Sequence, residues 1–319
     1  MSRHFPRQSF LYGLLGVLAI ACGDGSVGTL EVEIASRALC AKDTFESVPT
    51  SPGSRPSAPA ETDGNLLHWH CGEVLGPSKV VAVYWGASWR GEGRHLVEGM
   101  THFLQNFGGT PYADLVREYR GLDQSGAMLS ASSDIQYDRR VFDDAPLPQG
   151  EVTDLDTGKE VCRLFDNAIE SNTLYVVFSD RPPTGGACGR HKGKHYCTPE
   201  SPVAVLTATI HNVAAVDYAC ALPEEVLGPA DVGRLANVTA HELMETVTNP
   251  RLTGWFNDGG FSDENPNVQS IEENGDKCAG IFDHPVMLVD GSPFWLQAEW
   301  SNAAYRVDAG LSKQGCVLP

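Results

Sequence analysis

Hydrophobic residues in this chain occur both in short continuous runs and at helical spacing. Continuous runs rich in β-branched and aromatic residues are typical of buried strands, and apolar residues three and four apart are typical of amphipathic helices. Strands are predicted at 80–86, 173–179, 202–210 and 213–218. Helices are predicted at 93–106, 112–120, 158–171 and 231–247. Strands and helices in this order predict a single α/β (α+β) domain with a mixed central sheet flanked by helices.

The helix at 231–247 carries the most informative residues. Asp231 supplies a start, and Pro250 stops the helix because a proline ring disfavours the helical conformation in the residue before it. His241 and Glu245 are four residues apart, so their side chains leave the same face, whereas apolar residues line a different face. One face can therefore bind a ligand while the other packs.

Residues 241–245 form the pattern His-Glu-x-x-Glu, a variant of the His-Glu-x-x-His zinc helix. In that helix two metal ligands lie one turn apart, and the glutamate between them is the general base. The pattern makes His241 and Glu245 candidate ligands and Glu242 the candidate catalytic base. Because five residues are a weak signal, a buried polar cluster that only holds the helix in place is the alternative.

The composition limits the classes of function. The chain has 319 residues, of which 42% are hydrophobic, and this is ample for a core. Its formal net charge of -18 argues against binding nucleic acid or an anionic membrane surface through charge. An acidic surface suits a soluble domain outside the cytoplasm.

The first 22 residues have the pattern of an export signal. Arg3 and Arg7 precede the apolar stretch 10–21, which is too short to span a membrane as a mature helix. Cys22 follows a lipobox-like sequence, which predicts lipidation and a bacterial cell-envelope location, in the outer membrane or at the cell surface. The alternatives are ordinary signal cleavage, and hence secretion, or an uncleaved anchor. The Ser- and Pro-rich residues 23–65 are predicted to be a flexible tether, and 66–319 the globular domain.

Eight cysteines remain besides Cys22, and an even number in an exported chain predicts disulfides. Cys188 with Cys197 is the natural local pair. The glycine-rich stretch 185–197 that holds them also contains His191, and we interpret it as a disulfide-closed loop rather than a zinc knot. His191 either points into the active cleft or is an exposed loop histidine.

Blocks of residues along 66–316 resemble the exordium, or phosphate-induced protein, family of secreted plant proteins and their bacterial relatives. They are His70 with Gly72, Val83-Tyr84-Trp85-Gly86, Cys188-Gly189 with His191, His241-Glu242-Leu243 with Glu245, Thr248-Asn249-Pro250, Trp255, Glu273 with Asp276 and Cys278, and Gln297 with Trp300-Ser301-Asn302. The resemblance implies a secreted, disulfide-containing α/β domain linked in plants to growth and the cell wall. It implies no assigned reaction.

The block Glu273-x-x-Asp276-x-Cys278 adds to the candidate site. Glu273 follows the helix at a separation that resembles that of the third ligand in glutamate-type zinc peptidases, although those peptidases carry histidine where this chain has Glu245. The resemblance therefore implies His241, Glu245 and Glu273 as ligands. Asp276 and His191 are expected to form hydrogen bonds that orient these ligands without binding the metal themselves.

These observations predict a zincin-like domain that acts as a metal-dependent hydrolase, best interpreted as a zinc metallopeptidase. One imidazole and two carboxylates could also prefer another divalent cation. The expected partners are a peptide or cell-envelope substrate and a lipid anchor through Cys22, with no nucleic acid, and the chain is expected to be a monomer. The alternative is a non-enzymatic cell-surface or cell-wall binding protein with a structural His/Glu cluster.

Overall fold

The computed structural model describes residues 65–183, 188–201, 203–215, 222–261, 269–311 and 314–319. The predicted signal segment with Cys22, and all of the predicted tether except residue 65, lie outside the described residues. Within them, no helix combines the length and the apolar composition needed to cross a membrane.

The described residues form a mixture of strands and helices. The strands are β1 (His68–Trp69), β2 (Ser78–Trp85), β3 (Arg120–Leu122), β4 (Met128–Ser130), β5 (Ile135–Asp143), β6 (Thr173–Ser179), β7 (Gly189–Tyr196), β8 (Ala204–Ile210), β9 (Trp255–Phe261), β10 (Gln269–Glu272), β11 (Val286–Met287), β12 (Pro293–Phe294), β13 (Glu299–Trp300) and β14 (Cys316–Val317). The α-helices are α1 (Arg94–Phe107), α2 (Asp154–Leu164), α3 (Ala230–Thr248) and α4 (Asn302–Arg306). Short 3-10 helices occupy Ala87–Arg90, Ala113–Glu118, Val213–Ala215 and Asp276–Cys278.

The central sheet has five strands in the order β5-β2-β6-β8-β7. The first four run parallel to one another, and β7 pairs antiparallel with β8 at the edge. The predicted mixed sheet is therefore confirmed. Strands β2, β6 and β8 are buried on both faces, which explains why their sequences are continuous apolar runs. Strand β5, at the edge, is more polar and only partly buried.

Side chains that alternate along β2 divide the core into two layers, because successive residues of a strand point to opposite faces. Val80, Ala82 and Tyr84 belong to the larger layer, which also contains the buried residues of α1 and α3. Val81, Val83 and Trp85 belong to the smaller layer, which contains those of α2. Helices thus cover both faces of the sheet, and α3 is held against the larger core.

Helix α3 confirms the prediction for 231–247 and extends it by one residue at each end. Its C-terminal neighbour Asn249 leaves the helical region before Pro250, as the proline requires. The predicted strand at 213–218 is wrong in its described part, because Val213–Ala215 forms a 3-10 turn. Helix α2 begins earlier than predicted, since Thr153 and Asp156 form a capping box at its start.

The stretch interpreted as a disulfide-closed loop is instead mostly strand β7, and the Cys188–Cys197 pair is wrong. The extended strand holds the two cysteines on the order of 25 Å apart, whereas a disulfide needs Cα atoms within about 7 Å. Cys197 is paired with Cys162, with the Cα atoms 5.3 Å apart. Cys278 and Cys316 form another pair, with a Cα separation of 5.6 Å.

Candidate metal and catalytic site

Three parts of the chain meet at the C-terminal half of α3. Helix α3 supplies His241, Glu242 and Glu245, strand β7 supplies His191, and the segment after β10 supplies Glu273 and Asp276. All six line one open cleft of about 260 Å³. The structure therefore brings together every residue that the sequence assigned to the site.

On the helix side, the ring of His241 lies between two carboxylates. Its Nε2 is 3.0 Å from Glu245 Oε1 and 3.6 Å from Asp276 Oδ1. The backbone N–H of Asp276 also donates to Glu245 Oε1, at 3.2 Å. We call His241, Glu245 and Asp276 the helix set, since their ligand atoms all lie within 4.8 Å of one another.

On the strand side, His191 occupies the corresponding place. Its Nε2 is 2.9 Å from Glu273 Oε2 and 3.8 Å from Glu245 Oε2. We call His191, Glu245 and Glu273 the strand set, which meets the same 4.8 Å criterion. Both sets share Glu245, and neither is the predicted trio of His241, Glu245 and Glu273. His191 and Asp276 were predicted only to support the ligands. The structure places their own ligand atoms within 4.8 Å of those of the other members of each set.

Asn249, just beyond α3, positions Glu273. Its Nδ2 donates to Glu273 Oε1 at 2.6 Å, and its Oδ1 accepts from the backbone N–H of Gly254 at 2.6 Å. The backbone N–H of Glu273 in turn donates to Asp276 Oδ2 at 3.1 Å. The Thr-Asn-Pro block that ends the helix thus also fixes a candidate ligand.

Asn274 holds the segment between the two carboxylate ligands in the core. Its Oδ1 accepts from Thr248 Oγ1 at 3.0 Å, and its Nδ2 donates to Glu299 Oε2 at 2.7 Å. Tyr112 donates to the other oxygen of Glu299, also at 2.7 Å. Burial raises the pKa of Glu299 to about 8. These bonds make the segment a rigid part of the site.

Gln297 orients the ring of His241, a role that its residue type did not reveal. Its Nε2 lies 3.0 Å from His241 Nδ1 and 2.8 Å from the carbonyl oxygen of Gly275, so it donates to both. With Nδ1 accepting, the proton of the neutral ring sits on Nε2 and points to Glu245. A cation on Nε2 would require the Gln297 amide to turn over, so that its oxygen accepts from Nδ1–H.

Glu242 is 4% exposed, and its Oε2 has no hydrogen-bond partner within the described ranges. The strand beside it leaves room only because residue 189 is glycine. A Cβ there would lie 2.7 Å from Glu242 Oε1. A buried carboxylate oxygen without a partner is costly, and such groups concentrate at functional sites.

Crowding of the carboxylates and histidines shifts their protonation. Burial, followed by the charge of Glu245, raises the pKa of Glu242 to about 8. Burial also raises the pKa of Glu245 to about 7, although His241 opposes it. Burial alone would lower the pKa of His191, but the carboxylates of Glu273 and Glu245 outweigh burial and raise it to about 10. The cation-free cluster therefore holds extra protons at neutral pH.

Because those protons compete with a cation, metal affinity is expected to rise with pH. The carboxyl groups of Glu242 and Glu245 and the imidazolium of His191 would lose protons on cation binding, so the logarithm of the association constant should increase by about one or more per pH unit near neutrality. Calorimetric titration with Zn²⁺ in buffers of different ionisation enthalpy measures the protons released. A pH-independent affinity with no proton release would contradict the expectation.

Comparison with known proteins assigns no relative, since no protein-family model and no curated protein sequence matches the chain significantly.

Proposed function

We propose that this protein is a metal-dependent hydrolase of zincin-like build, acting on peptides through the His-Glu-x-x-Glu helix α3. The observation that carries the proposal is the buried, unpartnered carboxylate of Glu242 beside two sets of ligand groups in an open cleft. Ligands about 2.0–2.1 Å from a tetrahedral zinc ion are roughly 3.3 Å from one another. The nitrogen–oxygen distances of 2.9–3.8 Å in the two sets bracket this value, so the donor groups fit a cation.

The residues of the site have separate tasks in this proposal. His241, His191 and their carboxylate neighbours would hold zinc or another divalent cation, which would polarise the scissile carbonyl and acidify water. Glu242 takes a proton from the attacking water and passes it to the leaving amine. Gln297 and Asn249 orient His241 and Glu273. The attacking water supplies the oxygen of the new carboxylate and the proton of the leaving amine, so no other reactant is consumed.

We also propose that the chain is exported and anchored to the bacterial cell envelope through Cys22, as a relative of the exordium family. The disulfide-distance pairs Cys162–Cys197 and Cys278–Cys316 support an oxidising compartment. Of the resembling blocks, Thr248-Asn249-Pro250, Glu273 with Asp276 and Gln297 all contact one site in the structure. Their convergence supports common function for residues scattered along the chain.

The second candidate function is a non-enzymatic surface or cell-wall binding protein. One observation favours it: the direct pairs His241–Glu245 and His191–Glu273 satisfy these groups without a cation. The donated hydrogen bond from Gln297 to His241 also suits a cation-free ring. In this case the cluster only ties α3 to β7 and to the segment after β10.

Metal content separates the two candidates. Residues 23–319, purified without added chelator, should contain at least one zinc ion per chain by mass spectrometry and should cleave members of a peptide library. His241→Ala should lose both properties. His284→Ala is the matched control, because this histidine is exposed and outside the cleft. Absence of metal from folded wild-type protein, even after incubation with zinc, would contradict the hydrolase.

A further inference from the structure

The two oxygens of Glu245 face different halves of the cluster. Oε1 lies 3.0 Å from His241 Nε2, whereas Oε2 lies 3.8 Å from His191 Nε2. Each half therefore has one imidazole nitrogen, one oxygen of Glu245 and one carboxylate of its own, from Asp276 or Glu273. A carboxylate that presents one oxygen to each of two ligand groups is the arrangement that bridges a pair of metal ions.

One cation cannot take all five groups as they are placed. Opposite ligands of a single ion, each about 2.1 Å away, are at most about 4.2 Å apart. Among the described residues, the helix set and the strand set stay separate at a limit of 4.8 Å and do not merge into one larger set. Two ions, one in each set, would use all five groups, with the Gln297 amide turned over beside His241.

The charge of the carboxylates also favours two cations. Five carboxylates line the cleft, together with Arg190 and Lys192. Lys192 pairs with Asp154 and Arg190 pairs with Glu151, so the remaining four carboxylates are Glu242, Glu245, Glu273 and Asp276. Ion pairs between described residues give three of them, Glu245, Glu273 and Asp276, histidine partners only, with no lysine or arginine. With these four ionised, one divalent cation leaves two negative charges partly buried, whereas two divalent cations balance all four. Uncompensated buried charge is strongly unfavourable.

Building on the proposed function, we infer that the cleft is a two-metal centre. Glu245 bridges one divalent cation held by His241 and Asp276 and a second held by His191 and Glu273. Mixed imidazole and carboxylate ligands suit zinc, manganese or cobalt. Glu242, whose Oε2 has no partner among the described residues, lines the same cleft and would accept a proton from water there. Hydrolases with two ions roughly 3.5–4 Å apart use them to stabilise both the attacking and the leaving atoms.

The number of ions per chain tests this inference. Chelator-treated protein is titrated with Zn²⁺ by calorimetry, and the bound metal is counted by mass spectrometry after gel filtration. Wild-type protein should bind two ions. Asp276→Asn and Glu273→Gln, which keep side-chain shape, should each bind one. Asp154→Asn is the matched control, because Asp154 lines the same cleft but belongs to neither set. It should still bind two.

Paramagnetic resonance of the Mn²⁺-loaded protein tests the bridge independently of activity. Two ions joined by Glu245 should give an exchange-coupled spectrum, and either single-set variant should give the spectrum of an isolated ion.

One ion in wild-type protein would overturn the two-metal centre and leave the proposed hydrolase standing. No ion would overturn both. Two ions with no magnetic coupling would overturn the bridging role of Glu245. Since these results come from wild-type protein, they hold even if a variant fails to fold.

Discussion

Glu242→Gln is expected to lower kcat for peptide hydrolysis by about 10²–10⁴-fold, the usual contribution of a positioned general base. Glutamine keeps the shape of the side chain but cannot take a proton from water. The metal ligands are untouched, so metal content should equal that of the wild-type chain. KM should change little, because Glu242 acts on the reacting water rather than on the bound substrate.

The stability of the same variant is expected to be retained even though its kcat falls. Burial raises the pKa of Glu242 to about 8, so in the cation-free protein at neutral pH glutamine replaces a mostly uncharged carboxyl group of nearly the same shape. The free energy of unfolding should therefore stay within about 1 kcal/mol of the wild-type value or increase. A large loss of stability would mean that Glu242 holds the cluster together, as in the non-enzymatic candidate.

Glu98→Gln is the matched control for this experiment. Glu98 lies on α1, is exposed, and pairs with Arg94 one turn away. The same chemical change there should leave kcat and metal content unaltered, since an exposed ion pair of this kind contributes less than about 1 kcal/mol. If Glu242→Gln retains wild-type kcat under conditions in which metal is bound, Glu242 is not the base and the proposed mechanism fails.

Local sequence patterns predicted the parts of this fold that depend on local rules. The apolar runs of β2, β6 and β8 report burial on both faces, and the position of Pro250 ends α3 where the structure ends it. The residues of the His-Glu-x-x-Glu pattern also lie together, because helical spacing alone fixes His241 relative to Glu245.

Strand β7 could not be predicted in the same way. Its sequence, Gly-Arg-His-Lys-Gly-Lys-His-Tyr, has the glycines and charges of a loop, and it is extended only because it pairs with β8 at the sheet edge. The strand set therefore depends on a long-range pairing that brings His191 to Glu245. The predicted Cys188–Cys197 disulfide was wrong for the same reason, because the pairing of β7 with β8 places Cys197 beside Cys162 of α2.

The glycines that suggested a loop are required where β7 crosses α3. Gly193 lies against Pro250, the second residue after the helix, and a Cβ there would come under 3.0 Å from the backbone oxygen of Pro250. Real Cβ atoms essentially never come so close. A backbone carbonyl cannot rotate away as a side chain can, so the strand itself would have to move.

Gly193→Ala is therefore expected to lower the free energy of unfolding by about 3 kcal/mol, the upper part of the usual range for overpacking. Gly189→Ala should cost less, about 1 kcal/mol, because its Cβ meets the movable side chains of Glu242 and Val238. It should instead reduce kcat by displacing Glu242. Denaturant unfolding of both variants, with the activity of each, measures the difference.

Gly91→Ala is the control, since its Cβ would lie 3.8 Å from the nearest atom, Ser88 O, in ordinary contact. It should leave both stability and activity near the wild-type values.

The stability of Gly193→Ala relative to Gly91→Ala tests whether β7 is packed against the end of α3. If Gly193→Ala is as stable as wild type, β7 is not packed against the end of α3. His191 would then have no reason to lie 3.8 Å from Glu245, and the strand set would be lost while the helix set remained. Loss of stability specific to Gly193→Ala would instead tie the edge strand, and the histidine it carries, to the helix that bears the catalytic pattern.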